Sequence, residues 1–121
     1  MKEIELGEVQ AAFADIIWEN EPIASGELVR ICEKRFNWKK PTTYTVLRKL
    51  CEKGLFKNEN GIVTSVISKE EFNVSKSEKL VEEAYDGSLP AFIAAFMSHK
   101  KISNDEIDRI QEMIDKYRGK P

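Results

Sequence analysis

Trp38-Lys39-Lys40-Pro41-Thr42-Thr43-Tyr44-Thr45-Val46-Leu47-Arg48-Lys49-Leu50-Cys51-Glu52-Lys53-Gly54-Leu55 is the stretch on which the fold of this chain turns. Pro41 suits the first turn of a helix, where its missing N–H would be unpaired anyway. Gly54 suits the stop after the last turn. Between them Thr43, Val46, Leu47, Leu50 and Cys51 recur at helical spacing and form one inner stripe. Thr42, Thr45, Arg48, Lys49 and Glu52 fall on the outer side, with Tyr44 at its edge. The segment is therefore a helix with one face for a core and one for a partner.

Working upstream, Ser25 is a good N-cap for a preceding helix. Leu28, Ile31 and Cys32, with Arg35 or Phe36, follow on one face until Asn37-Trp38 breaks the pattern. Before it, Val9, Ala12, Phe13, Ile16 and Ile17 recur at i, i+3, i+4, i+7 and i+8, the stripe of an amphipathic helix. Trp18 closes that helix onto the domain, and Pro22 ends it because the residue before a proline disfavours helix. Downstream, Leu55-Phe56-Lys57-Asn58 and Ile62 to Ile67 flank Glu59-Asn60-Gly61. Asn-Gly between two β-prone runs predicts a hairpin, since both residues tolerate positive φ. Three helices and a hairpin make a winged helix.

The pattern loosens from Ser68 to Val74, which sets the expected boundary: a winged-helix domain over 1–70 and a helical domain over 71–121. Ser75-Lys76-Ser77-Glu78 reads as a capping box opening a fourth helix. Leu80, Val81, Ala84 and Tyr85 form its stripe and Gly87 stops it. Leu89, Phe92, Ile93, Phe96 and Met97 mark a fifth helix. Ser103-Asn104-Asp105-Glu106 opens a sixth, with Ile107, Ile110, Met113, Ile114 and Tyr117 on or near one face. Three short helices carrying this much apolar surface have at best a marginal core. A two-fold dimer would bury it, with Leu80, Val81, Tyr85, Leu89, Phe92, Ile93, Phe96, Met97, Ile107, Ile110 and Ile114 as interface. Folding back onto the winged helix in a monomer is the alternative. The class is mainly α with a small β-hairpin: a winged helix-turn-helix DNA-binding domain plus a C-terminal helical dimerisation domain.

At 121 residues, 41% hydrophobic and 33% charged, the composition is that of a globular chain, neither disordered nor fibrous. No apolar run approaches the roughly 20 residues that span a bilayer. The N-terminus lacks the apolar core of a signal peptide. A cytoplasmic protein with no membrane insertion is expected. The net charge of −2 conceals a local excess. From Arg30 to Lys57 nine cations face two anions, leaving +7 inside an otherwise acidic chain. A confined basic block is the footprint of a surface that binds a polyanion. On the outer side of the third helix, Thr42, Thr43, Tyr44 and Thr45 offer short hydrogen-bonding groups, and Arg48 and Lys49 offer charge. Such a face suits the major groove of double-stranded DNA, where arginine pairs with guanine. Lys39 and Lys40 precede the helix, where a phosphate would also meet free N–H groups. Lys57 and Asn60 sit on the hairpin within reach of the flanking backbone. Winged helices also serve as protein-interaction modules without DNA binding, and that alternative stays open.

Cys32 and Cys51 have neither disulfide-framework nor metal-pair spacing, and read as reduced apolar-face thiols. His99 is the sole histidine and stands beside Lys100 and Lys101. With no nucleophile elbow, carboxylate pair or glycine-rich phosphate loop, neither an enzyme nor a cofactor or metal is expected.

The quoted stretch resembles the recognition-helix signature of the penicillinase-repressor family (BlaI/MecI/CopY): a Trp, a Thr-rich turn, Leu-x-[Arg/Lys]-Leu and Lys-Gly. Ile16-Ile17-Trp18 looks like the family's first-helix ending, and Ser103-x-Asp105-Glu106-Ile107 like its final helix. The resemblance implies a homodimeric repressor on a dyad-symmetric operator. In the β-lactam-resistance members, a membrane sensor protease acts indirectly, and its signal leads to cleavage in the dimerisation region. The corresponding junction here is Ala95-Phe96, with Ala95 where cleaved members carry Asn. Pro41 comes one residue later than is usual, and Tyr44 stands where a cation is common. The copper-responsive branch ends in C-x-C, whereas this chain ends Tyr117-Arg118-Gly119-Lys120-Pro121 without cysteine.

Overall fold

The computed structural model describes residues 5–119; the first four residues of the N-terminal stretch and the closing Lys120-Pro121 lie outside them. The chain runs α1 (Glu8–Asn20), β1 (Ile23–Ala24), α2 (Ser25–Phe36), α3 (Lys40–Glu52), β2 (Phe56–Glu59), β3 (Ile62–Ser65), α4 (Lys69–Tyr85), α5 (Leu89–His99) and α6 (Asn104–Tyr117). It divides into two compact units between Lys79 and Leu80.

The first unit is a winged helix. Its core gathers Phe13, Ile16 and Ile17 from α1, Leu28 and Cys32 from α2, and Leu47 and Leu50 from α3. Leu55, Phe56 and Val63 close it from the hairpin side. The helical members are stripe positions of the amphipathic pattern, though Val9 of the expected α1 stripe is exposed and Ala14, outside it, is buried. Pro41 sits in the first turn of α3, and Gly54 follows its end at φ 89°. Asn60 and Gly61 adopt φ of 54° and 81°, the positive pair a two-residue hairpin needs. Trp18 lies between the rings of Phe56 and Phe72, with centroids 5.3 and 5.5 Å away. Its indole N–H donates to the Ile67 carbonyl at 3.0 Å.

Three local expectations need correcting. The sheet has three antiparallel strands in the order β1-β3-β2, because Ile23 and Ala24 pair with Val63 and Ile62. A two-residue strand is too short to show an alternation in sequence. Ser25 is not an N-cap: it is the first residue of α2, and Ala24 holds the cap position without a side-chain bond. The fourth helix opens at Lys69, not at Ser75. Ser68 Oγ accepts from the Glu71 N–H at 3.0 Å, and the Glu71 carboxylate accepts from the Ser68 N–H at 3.1 Å. That reciprocal pair is the capping box. The later Ser-x-x-Glu lies inside the helix, where Ser77 Oγ donates to the Asn73 carbonyl. Buried Phe72 holds the first turn of α4 in the core of the first unit, so the division falls later than the 70/71 boundary suggested by sequence.

The second unit contains the end of α4, then α5 and α6. Asp86 and Gly87 take positive φ and turn the chain after α4. Ser88 and Ser103 cap the next two helices, accepting from the Ala91 and Glu106 N–H groups at 3.1 Å each. Tyr85 meets Phe92 edge-on at 5.4 Å between centroids, and Phe92 lies 6.1 Å from Phe96. Among the described residues of this unit none is buried. No helix among the described residues is long and apolar enough to cross a membrane.

Candidate nucleic-acid interface

The α3 helix divides its residues as a helix lying on a core must. Thr43, Leu47 and Leu50 point inward at i, i+4 and i+7 and are buried. Thr43 is therefore removed from the candidate contact set, being only 1% exposed. Its Oγ1 has no hydrogen bond of good geometry among the described residues. Burial pushes the nearby Cys32 thiol up, with the Thr43 hydroxyl and the Arg35 charge acting in the opposite direction. Cys32 and Cys51 are both free, the first buried and the second half-buried. Burial, and then the Glu52 charge, also raise Cys51, so neither thiol is activated.

The remaining positions meet on one surface. Lys39, Lys40, Thr42, Arg48 and Lys49 are exposed, while Tyr44 and Thr45 are half-exposed. Lys40, Tyr44, Arg48 and Glu52 follow one another at i, i+4 spacing and form a ridge along the outer face. The Lys40 ammonium stands 6.0 Å from the Tyr44 ring centroid. Arg48 Nε lies 3.9 Å from the Glu52 carboxylate, a loose pair with both side chains in solvent. Thr45 Oγ1 donates back to the Pro41 carbonyl at 2.9 Å, which leaves its methyl and lone pairs for an outside partner. Lys39 and Lys40 flank the start of α3, where the helix dipole is positive, while the Thr42 and Thr43 N–H groups donate to the Lys39 carbonyl at 3.0 and 3.3 Å.

Beside this ridge, Tyr44, Leu47, Arg48 and Cys51 of α3 and Asn58 of β2 line an open groove of about 320 Å³. Lys57 and Asn60 are exposed on the hairpin. Lys57 pairs with Glu59 at 2.9 Å; that bond, then the lysine charge, holds the Glu59 carboxyl below its usual range. The basic block does not act as a whole. Lys53 turns to the Glu5 carbonyl and the Gln10 side chain, and Arg30 pairs with Glu27. Lys34 and Arg35, counted in the block but not placed in the site, are exposed on the last turn of α2. Their charge was visible in sequence; their turn of helix was not tied to α3 until α2 packed against it. Ser25 was also missed: its Oγ accepts from the Tyr44 hydroxyl at 3.0 Å, a contact across nineteen positions that no local pattern announces.

The expected interface residues of the second unit keep large apolar surfaces open. Leu80, Leu89, Ile93, Phe96, Met97, Ile107, Ile110 and Ile114 are exposed, while Val81, Tyr85 and Phe92 are half-buried. Met113 and Tyr117 add to the same α6 face. With Ile110, Ile114 and Arg118 they line a shallow, almost wholly apolar groove of about 470 Å³.

The penicillinase repressor family model matches residues 6–116. A penicillinase repressor of Bacillus licheniformis is 21% identical over 125 residues, spanning 99% of this chain and 98% of that protein. The methicillin resistance regulatory protein MecI of Staphylococcus aureus strain N315 is 20% identical over 119 residues, spanning 95% of this chain and 97% of that protein. These relatives are regulators, not enzymes. Both matches run through the winged helix and the C-terminal helices together, and the chain belongs to the penicillinase repressor family.

Proposed function

We propose that this protein is a cytoplasmic transcriptional repressor that binds a dyad-symmetric operator in double-stranded DNA as a homodimer. One observation carries the reading: α3 buries Thr43, Leu47 and Leu50 and turns Lys39, Lys40, Thr42, Arg48 and Lys49 to solvent as one face. Arg48 has the fork geometry for guanine. Lys39 and Lys40 supply sequence-independent phosphate attraction at the start of the same helix. Lys57 and Asn60 would touch the backbone beside the groove. The open α5 and α6 surfaces supply the dimer contact, which doubles the reading surface and matches it to two half-sites.

Relief by proteolysis in the dimerisation region, through a membrane sensor protease acting indirectly, is the finer reading supported by the family. Ala95 and Phe96 lie within α5, so a protease needs that helix to unwind before the junction enters an active site.

The test is binding of the purified protein to its own upstream region, followed by footprinting and a salt titration. Protection of paired half-sites is expected, with affinity falling steeply as salt rises. A stable protein partner held at high salt, with no DNA protected, would overturn the reading in favour of a protein-interaction module.

A further inference from the structure

Tyr44 is the odd member of the outer ridge. It stands between Lys40 and Arg48 on that ridge, half-buried at the edge of the proposed reading face, and its hydroxyl is already engaged. Oη donates to Ser25 Oγ at 3.0 Å. The direction of that bond follows from chemistry: a phenolic O–H is a better donor than an alkyl hydroxyl. Ser25 is held in turn by its backbone, because its N–H donates to the Gly61 carbonyl at 2.8 Å in the hairpin turn. One serine thus joins the start of α2, the tip of the wing and the middle of α3.

We propose that Ser25 is a positioning residue that decides which bases Tyr44 can read. With its proton committed to Ser25, the Tyr44 oxygen offers lone pairs alone. Phosphate oxygens are acceptors and find no donor there. In the major groove only adenine N6 and cytosine N4 present a donor. Tyr44 therefore selects a base carrying an amino group, at one position in each half-site, and does not act as a phosphate clamp. The groove shared by Tyr44, Arg48 and Asn58 gives that base edge room to approach.

This rests on the reading that α3 faces DNA, and the experiment separates the two. Wild-type protein, Ser25→Ala, Ser25→Thr and Tyr44→Phe are each used to select binding sites from a random duplex pool, with affinities then measured at one salt concentration. The wild type is expected to restrict one position per half-site to adenine or cytosine. Tyr44→Phe should lose that preference alone, with binding weakened about two- to tenfold, the range of one neutral hydrogen bond. Ser25→Ala frees the phenolic proton, so guanine and thymine should become acceptable at the same position. Ser25→Thr retains the hydroxyl and should restore the restriction. The slope of affinity against salt should be equal in all four, since no charge changes. An unaltered preference in Ser25→Ala and in Tyr44→Phe would overturn the proposal. A loss spread evenly over all positions, with a lowered melting temperature, would do the same. If the wild type enriches no sequence at all, the DNA reading itself falls, and the proposal with it.

Discussion

The winged-helix unit and the C-terminal unit are built from the same kind of sequence and end in opposite states. Both carry Leu, Ile and Phe at helical spacing. In the first, Phe13, Ile17, Leu28, Leu50, Leu55 and Val63 reach zero exposure. In the second, Leu80, Leu89, Phe96 and Ile114 remain about half exposed. The difference is one of closure. Three helices and a sheet cover each other's stripes, whereas among the described residues of the second unit the stripes of α5 and α6 are left without a buried position. An amphipathic pattern states which face wants burial; it does not state which molecule supplies the cover.

The sharpest way to break this contrast is to make the open stripe charged. Ile110→Glu with Ile114→Glu should abolish self-association in analytical ultracentrifugation and leave the melting of the winged-helix unit unchanged. Operator affinity should fall about a hundredfold or more, because the second half-site would no longer be bound at high effective concentration. A variant that remained dimeric would remove the α6 face from the interface.

Truncation within each unit should then separate the two by their dependence on protein concentration. Leu50→Ala opens a cavity in a closed core and should cost about 2–5 kcal/mol whatever the concentration. Ile114→Ala should lower the denaturation midpoint mainly in dilute solution, because its partner atoms belong to another chain and association is governed by mass action. Urea unfolding at two concentrations a hundredfold apart reads both effects. Equal, concentration-independent losses would mean that the C-terminal stripe is covered within one chain.

The same contrast explains how much was legible in sequence. The α3 stripe, Pro41, Gly54 and Asn60-Gly61 were readable because each is a local rule with a local cause: period, missing N–H, or positive φ. Thr43 shows where such reading runs out. The Thr-rich run offered it as a DNA contact and the period offered it as core, and packing against α2 decided for the core. The start of α4 was missed because two Ser-x-x-Glu sequences lie seven residues apart, Ser68 to Glu71 and Ser75 to Glu78. The contact of Phe72 with Trp18 and the Lys69–Asp15 ion pair at 2.9 Å both anchor a helix that opens at the first. β1 and the Ser25–Tyr44 bond are products of tertiary placement and leave no trace in the local pattern.

The smallest expected effect sharpens the comparison through salt. The reading face is a set of exposed cations, so its affinity for DNA should fall as ionic strength rises, with a slope of about 0.9 per phosphate neutralised. The dimer contact is apolar and should not weaken with it. Glu52 gives a single-residue handle on this difference. Its carboxylate competes with DNA for Arg48 from 3.9 Å along the same ridge, and both groups are exposed, so the pair is worth about 0.2–1 kcal/mol. Glu52→Gln should therefore tighten operator binding by up to about fivefold at low salt, the fold-change equivalent to the upper end of that energy. Near 1 M salt, where the screening length shrinks to about 3 Å, the gain should vanish. The dimerisation constant should stay the same at both salt concentrations. Weaker binding by Glu52→Gln would mean that the carboxylate aims Arg48 at its base and does not compete for it. A shift in the dimerisation constant would mean that the two faces are not energetically separate.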